Sequence, residues 1–293
     1  MEELAILELA DEYELFEYKG AKAYLIINKK MEEYQCLFGF ISFPNDISVA
    51  GELFGRMERR AREKGFSSIV GPINYCSWMS YRWAISRYDL KFFPDCTNPS
   101  YYPELINKLG YRELYTYRSA FVKLHNPMFS IGERAYKQKC KDGFTFRLYE
   151  GEEVYRLSRG IFDISENAFR GSYLYCDIPY EYFDKLYLSW TKKVSIGLYV
   201  AYYNGEPVGY VMGYENPYDH TFISKTCAVK KEFQKQKVYV ALLYLGAQYV
   251  SSKGYQETVY HFQCEQRDTF QRFDTSIERD EKRYAVYIKE LLK

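Results

Sequence analysis

Strand-like and helix-like patterns alternate along this chain and recur in the same order in its two halves. In the first half, residues 22–28 and 36–43 are rich in β-branched and aromatic residues and are bounded by charged or turn residues, which predicts two strands. From 47 to 64 the apolar residues recur every four positions and the pattern ends at Gly65, which predicts an amphipathic helix. The remaining elements of this half are two strands and a helix, predicted at 66–70, 113–124 and 102–109.

The second half repeats this order, with a strand at 144–149 and a helix over 152–169. Residues 198–212 form a predicted hairpin, because Asn204-Gly205 supplies the positive φ values of a type I′ turn. The later elements are a strand, a helix and two further strands, predicted at 222–229, 233–253, 257–263 and 284–291. This alternation predicts an α/β protein with a mixed sheet (α+β), formed twice.

The length of the chain agrees with two domains, since it has 293 residues and a domain has roughly 150. Residues 127–143 contain Pro127, Gly132 and a basic run, and we interpret them as a linker. This divides the chain into an N-terminal domain, 1–126, and a C-terminal domain, 144–293. The last predicted strand would then close the sheet of the second domain.

Charge, cysteine and histidine content argue against several classes of protein. Lys and Arg number 40 and Asp and Glu 39, so the net charge is +1, which argues against DNA binding by bulk charge. No apolar run approaches the roughly 18–20 residues of a membrane span, and the N-terminus does not resemble a signal peptide, so we expect a cytoplasmic protein with no membrane partner. The seven cysteines lack a CxxC and the three histidines are isolated, so we expect no metal.

Tyrosine is unusually frequent, at 33 residues, and it clusters between 173 and 187 and between 199 and 214. Packing against sheets explains such clusters. The functional alternative is an aromatic groove for an apolar amine or an acyl chain.

Three consecutive segments of the second half carry a family resemblance. They are the hairpin 204–213, Asn-Gly-Glu-Pro-Val-Gly-Tyr-Val-Met-Gly, then the strand 222–229, then the helix opening at 230–239. In these segments the chain resembles the GNAT superfamily of acyl-CoA-dependent N-acyltransferases. There a loop of the form Arg/Gln-x-x-Gly-x-Gly/Ala wraps the CoA pyrophosphate at a helix N-terminus. Here Gln234 matches the first position, whereas Lys237 and Tyr239 stand at the two glycine positions.

The resemblance implies a site for acetyl-CoA or another acyl-CoA, in which the backbone of a splayed strand polarises the thioester carbonyl. The implied donor-binding residues are Cys227, Ala228, Val229, Gln234, Lys235, Gln236, Lys237, Val238 and Tyr239. In the superfamily a tyrosine at this point of the pattern acts as the general acid. Asp274 stands at that position here, and we do not assign the role of general acid to it. Glu166, Asn167 and Glu265 are candidates for the catalytic base on the acceptor side, with a helix cap or a surface carboxylate as the alternative for each.

Segments 39–46, 71–74 and 98–111 make the first half similar to an uncharacterised bacterial family of tandem GNAT-like proteins, although this half has no pyrophosphate loop. The resemblance implies two GNAT-like domains in tandem, the first of them degenerate. Three functions stay open. The first is transfer of an acyl group from acyl-CoA to an amine of a small molecule or peptide. The second is a Fem-like transferase that draws on aminoacyl-tRNA, and the third is a non-catalytic binding protein.

Overall fold

The computed structural model describes residues 2–95, 97–267 and 281–291, so Cys96 and Asp274 lie outside the described residues. The helices are α1 Glu2–Leu7, α2 Ile47–Glu63, α3 Tyr101–Lys108, α4 Pro127–Lys141, α5 Glu153–Arg156, α6 Ser158–Phe169, α7 Tyr180–Tyr182 and α8 Val238–Ser252. The strands are β1 Glu12–Tyr18, β2 Ala21–Ile27, β3 Cys36–Ser42, β4 Ser68–Gly71, β5 Trp83–Ala84, β6 Arg112–Lys123, β7 Phe144–Glu150, β8 Ile196–Tyr203, β9 Glu206–Glu215, β10 Phe222–Val229, β11 Glu257–Cys264 and β12 Glu281–Glu290. A π-helical turn, Phe183–Leu188, and three 3₁₀ turns, Ser189–Lys193, Lys231–Phe233 and Glu265–Arg267, complete these elements.

The described strands form one mixed sheet that runs through both halves. Their order is β1-β2-β3-β4-β12-β6-β11-β10-β9-β8-β7, and β5 also pairs with β12. The strand predicted at 284–291 exists as β12, but its predicted place in the sheet of the second half is wrong. It lies between β4 and β6 of the first half and is antiparallel to both. Strand β6 pairs in turn with β11, so the two halves interlock.

Helix α4 occupies most of the segment that we predicted to be a linker, 127–143. The side chain of Asn126 caps the helix by accepting a hydrogen bond from the N–H of Met128 at 2.9 Å, and Pro127 follows it. Proline starts a helix well, because the N–H that it lacks would have no partner in the first turn. The helix packs against α8, where a Cβ at Gly132 would lie 2.6 Å from the Cβ of Tyr244. The basic run therefore belongs to a packed helix.

Local predictions hold where a short signal decides the structure. Asp46 caps α2 by accepting hydrogen bonds from the second and third residues beyond it. Asn204 and Gly205 have φ values of 51° and 83°, as the type I′ turn between β8 and β9 requires. Leu53 of α2 is buried in a core cluster that also holds Tyr287 of β12, so the last strand completes the core of the first half. Among the described residues, no helix is long and apolar enough to cross a membrane.

Candidate functional site

The parallel strands β10 and β11 pair only at their beginnings. Ile223 pairs with Val259 and Ser224 pairs with Tyr260, and the register between their described residues extends no further. A bulge in β10 between positions 224 and 226 marks the point at which the strands separate. The two strands therefore enclose a gap that opens toward their carboxyl ends.

The far end of β10 turns backbone donors into this gap. On the edge of β10 that faces β9, the N–H of Lys230, just after the strand, donates to the carbonyl of Val208 at 2.9 Å. Because hydrogen-bonded pairs alternate along an antiparallel ladder, Cys227 and Val229 turn their N–H groups away from β9. These two N–H groups can donate to a carbonyl oxygen held in the gap.

A cavity of about 900 Å³ lies at the gap, and both halves of the chain line it. The lining residues used below are Trp78, Arg82, Asp95, Lys225, Tyr239 and His261. Tyr173 and Tyr175 from the first tyrosine cluster also face the cavity. In the second cluster, Tyr210 and Tyr214 are fully buried in the core, so tyrosine serves both packing and the cavity wall.

The predicted pyrophosphate loop leads into the N-terminus of α8. Gln234 lies outside the cavity lining and donates from Nε2 to the carbonyl of Val229 at 3.0 Å, which ties the loop to the open end of β10. Lys235 and Lys237 have φ values of 63° and 66°, the left-handed conformation that favours glycine. Lys237 stands at the first glycine position of the loop pattern, so the backbone shape persists although the glycine does not.

The other predicted loop residues divide between solvent and protein. Gln236 is exposed and donates to the carbonyl of Glu232 at 2.8 Å. Val238 is fully buried, and Tyr239 is half-buried and lines the cavity. Ala228 is buried in the core. The structure thus places the exposed lysines outside the lining of the cavity and the ring of Tyr239 within it.

Residues 159–272 match the model of the acetyltransferase (GNAT) family. A tandem GNAT protein from the clavulanic acid biosynthesis pathway, 10% identical, superposes with a TM-score of 0.51 over 97% of this chain and 85% of that chain. This chain has the tandem GNAT fold, and most of its second half matches the GNAT family.

Two further solved structures superpose on this chain with lower TM-scores. A GCN5-related N-acetyltransferase from Sphaerobacter thermophilus is 14% identical, with a TM-score of 0.48 over 92% of this chain and 81% of that chain. L-PGS from Bacillus licheniformis is 13% identical, with a TM-score of 0.45 over 99% of this chain and 87% of that chain. None of the curated proteins matches the sequence.

The three residues predicted to act on the acceptor do not line the cavity of the GNAT fold. Glu166 pairs with Arg170 at 3.2 Å. Asn167 accepts a hydrogen bond from the N–H of Lys231 at 2.8 Å and so anchors the turn that precedes the loop. Glu265 pairs with Arg283 at 2.8 Å. Burial raises the pKa of Glu265, but the hydrogen bonds from Arg283 and Thr116 and the charges of Arg283 and Arg118 together outweigh it and hold this pKa below its usual value.

Sequence reasoning missed a buried polar cluster that the fold assembles inside the cavity. His261 Nε2 lies 3.4 Å from Asp95 Oδ1, and its Nδ1 lies 2.8 Å from Ser119 Oγ. The hydroxyl of Tyr284 donates to Asp95 Oδ2 at 3.0 Å. Burial lowers the pKa of His261 to about 4, so its ring is neutral at pH 7. These four residues come from four separate segments, so no local motif marks them.

Lys225 adds a titratable amine to this cluster. Its Nζ lies 4.4 Å from the centre of the Phe262 ring, at the point where β10 leaves β11. Burial lowers the pKa of Lys225 to about 7, although the charge of Asp95 opposes that shift. A lysine with such a pKa is half neutral at pH 7 and can accept a proton. Cys227, in contrast, has a pKa raised by burial, which disfavours it as a nucleophile.

Proposed function

We propose that this protein transfers an acyl group from acyl-CoA to an amine of a small molecule or peptide. The observation that carries the proposal is the gap between β10 and β11, which opens into the cavity and presents the N–H groups of Cys227 and Val229. Donors placed in this way stabilise the oxyanion that forms when an amine attacks a thioester carbonyl. The GNAT family match of the second half supports acyl transfer as the reaction class.

The loop from Gln234 to Tyr239 would hold the donor by its pyrophosphate. It precedes α8, whose first backbone N–H groups have no partner within the helix and therefore attract anions. The exposed side chains of Lys235 and Lys237 add positive charge at that end. Tyr239 lies where the loop meets the cavity, so its ring would flank the pantetheine arm.

In the proposed reaction the acceptor nitrogen attacks the thioester carbon, a C–N bond forms, and the C–S bond breaks. The CoA thiolate leaves with the electron pair of the broken bond. The proton lost by the amine passes to the neutral form of Lys225, which faces the same cavity. Lys225 therefore takes the role of base for which we had considered Glu166, Asn167 and Glu265.

Calorimetric titration of the whole protein with acetyl-CoA tests the proposal. We expect saturable binding, and we expect the double variant Lys235→Glu/Lys237→Glu to bind about tenfold more weakly, because two charge-assisted contacts to phosphate are lost. The matched control is Lys19→Glu/Lys108→Glu, which changes the net charge equally at exposed positions of the first half. The control should bind like the unmodified protein.

The absence of binding at millimolar acetyl-CoA would contradict the proposal. Retention of aminoacyl-tRNA that weakens steeply with salt would then support the Fem-like alternative. If neither ligand binds, the non-catalytic alternative is favoured.

A further inference from the structure

Arg82 is a buried cation with a terminal donor, Nη1, that no described residue of the protein pairs with. The residue is only 8% exposed, and it lines the cavity. Its Nε donates to the carbonyl of Tyr81 at 3.1 Å. Its Nη1 is buried and has no hydrogen-bond partner among the residues that the structure describes. An unsatisfied buried guanidinium is costly, so such a group calls for a ligand.

Three aromatic rings fix the position of this guanidinium. Its Cζ lies 3.6 Å from the centre of the Tyr81 ring, 3.7 Å from that of Phe262 and 4.3 Å from that of Tyr117. Rings this close cover the faces of the planar group and leave its edge for hydrogen bonding. The Nη edge of Arg82 can therefore bind a carboxylate through two parallel N–H···O bonds.

Basic groups outnumber carboxylates beside Arg82 among the residues that the structure describes. Lys225 approaches the same Phe262 ring, so two basic groups flank one side chain. The nearby carboxylate, Asp95, already accepts a hydrogen bond from Tyr284 and lies against His261. Burial raises the pKa of Asp95, but its interactions with His261, Lys225 and Arg82 together outweigh it and hold this pKa below its usual value. Beside Arg82, one carboxylate of the described part of the chain thus faces two basic groups.

We propose that the acyl acceptor carries a carboxylate, that Arg82 binds it, and that the aromatic walls of the cavity bind an apolar or aromatic body between carboxylate and amine. This inference rests on the proposed function, because it assigns the cavity to the acceptor. The acceptor class is then an amine with an anionic group and an apolar body, of which an aromatic amino acid is the simplest example. Trp78 and Tyr173 supply rings on the wall of the cavity.

The test compares three ligands by calorimetric titration of the whole protein without any CoA. L-phenylalanine has both amine and carboxylate, 3-phenylpropionate has only the carboxylate, and phenethylamine has only the amine. We expect the first two to bind and phenethylamine to bind about tenfold more weakly or worse, because it cannot pair with Arg82. Inorganic phosphate is the fourth probe, and we expect it not to compete.

The variant Arg82→Gln should abolish the preference for carboxylate ligands, while the control Arg159→Gln, at an exposed position of α6, should keep it. Arg82→Lys, which retains the charge but not the planar edge, should keep only part of the preference. Circular dichroism verifies that each variant is folded, and the comparison of ligands on the unmodified protein needs no variant.

Equal binding of phenethylamine and L-phenylalanine would overturn the inference, as would competition by phosphate or the absence of binding by every probe at millimolar concentration. If acetyl-CoA binds and the carboxylate preference is absent, this inference alone fails. If the carboxylate preference is present and acetyl-CoA does not bind, the proposed function alone fails.

Discussion

Lys225 is the side chain in the cavity that we propose as the base. An ordinary lysine is protonated at pH 7 and cannot accept a proton, but burial at the separation of β10 and β11 lowers the pKa of this one to about 7. The same burial makes the ammonium form costly for the folded protein. The residue is therefore expected to support activity at the expense of stability, as groups in active sites often do.

The variant Lys225→Met should be more stable than the unmodified protein at pH 7. The unfolded chain binds a proton at Lys225 up to pH 10.5 and the folded chain only up to about pH 7. In this window the unfolded state therefore holds more protons, and the stability of the unmodified protein rises with pH. One pKa unit corresponds to about 1.4 kcal/mol, so we expect a gain of a few kcal/mol at pH 7 that shrinks toward pH 10.5.

Urea unfolding at several pH values measures this gain in stability. The control is Lys185→Met at an exposed position, which should show no such gain. Acyl transfer by Lys225→Met should fall about a hundredfold or more, because the base is lost. Unchanged activity would exclude Lys225 as the base, and a loss of stability at pH 7 would contradict its costly burial.

Among single residues, the sequence located the loop before α8, whose binding of a donor stays a prediction, and it missed the polar cluster. Gln234 and Lys237 could be located because they follow a strand at a fixed spacing. Asp95 and His261 could not, because 165 residues lie between them in the chain and only the interlocked sheet brings them together. Glu166 and Glu265 were chosen for their residue type, but each has an arginine partner.

Among the elements, the start of α8 has a left-handed conformation at a residue other than glycine. Lys237, the residue before the helix, has a φ of 66°. A non-glycine residue pays about 1–2 kcal/mol for this conformation. Hydrogen bonds around it, including that from Gln234 to Val229, hold the loop in place. The turn before α8 is thus held in place with some strain.

The variant Lys237→Gly should therefore raise the melting temperature slightly. Relief of the strained φ outweighs the extra freedom of glycine in the unfolded chain, which costs about 0.5–1 kcal/mol. We expect a rise of about 1–3 °C by differential scanning calorimetry. The control is Gln236→Gly, whose φ is not positive and which should lower the melting temperature. A lower melting temperature for Lys237→Gly would mean that the lysine side chain stabilises the loop.

Helix α4 lies where the sequence had predicted a linker. Pro127 and Gly132 suggested a linker because both residues interrupt helices in their interior. In the structure Pro127 stands in the first turn of α4, where proline is favourable. Gly132 has no side chain, which lets α8 pack closely against α4. Both residues are compatible with a helix because of where they stand in it, and composition alone does not reveal that position.

For the whole molecule, the position of β12 in the sheet of the first half explains why both halves line the cavity. Strand β12 completes the sheet of the first half, and β6 lies against β11 of the second. The cavity beside β11 is therefore walled by both halves, with Asp95 from one and Lys225 from the other. The sequence indicated two similar halves, but pairing between distant strands is set by the global fold and left no local pattern to read.

The central claim is that the gap between β10 and β11 receives the acyl donor. Hydrogen–deuterium exchange of the whole protein, with and without acetyl-CoA, tests it at individual amides. The N–H groups of Cys227 and Val229 face the gap, so they should exchange more slowly when a thioester carbonyl accepts from them. Amides from 235 to 239 should be protected as well. Unchanged exchange at Cys227 and Val229 under saturating acetyl-CoA would contradict the account.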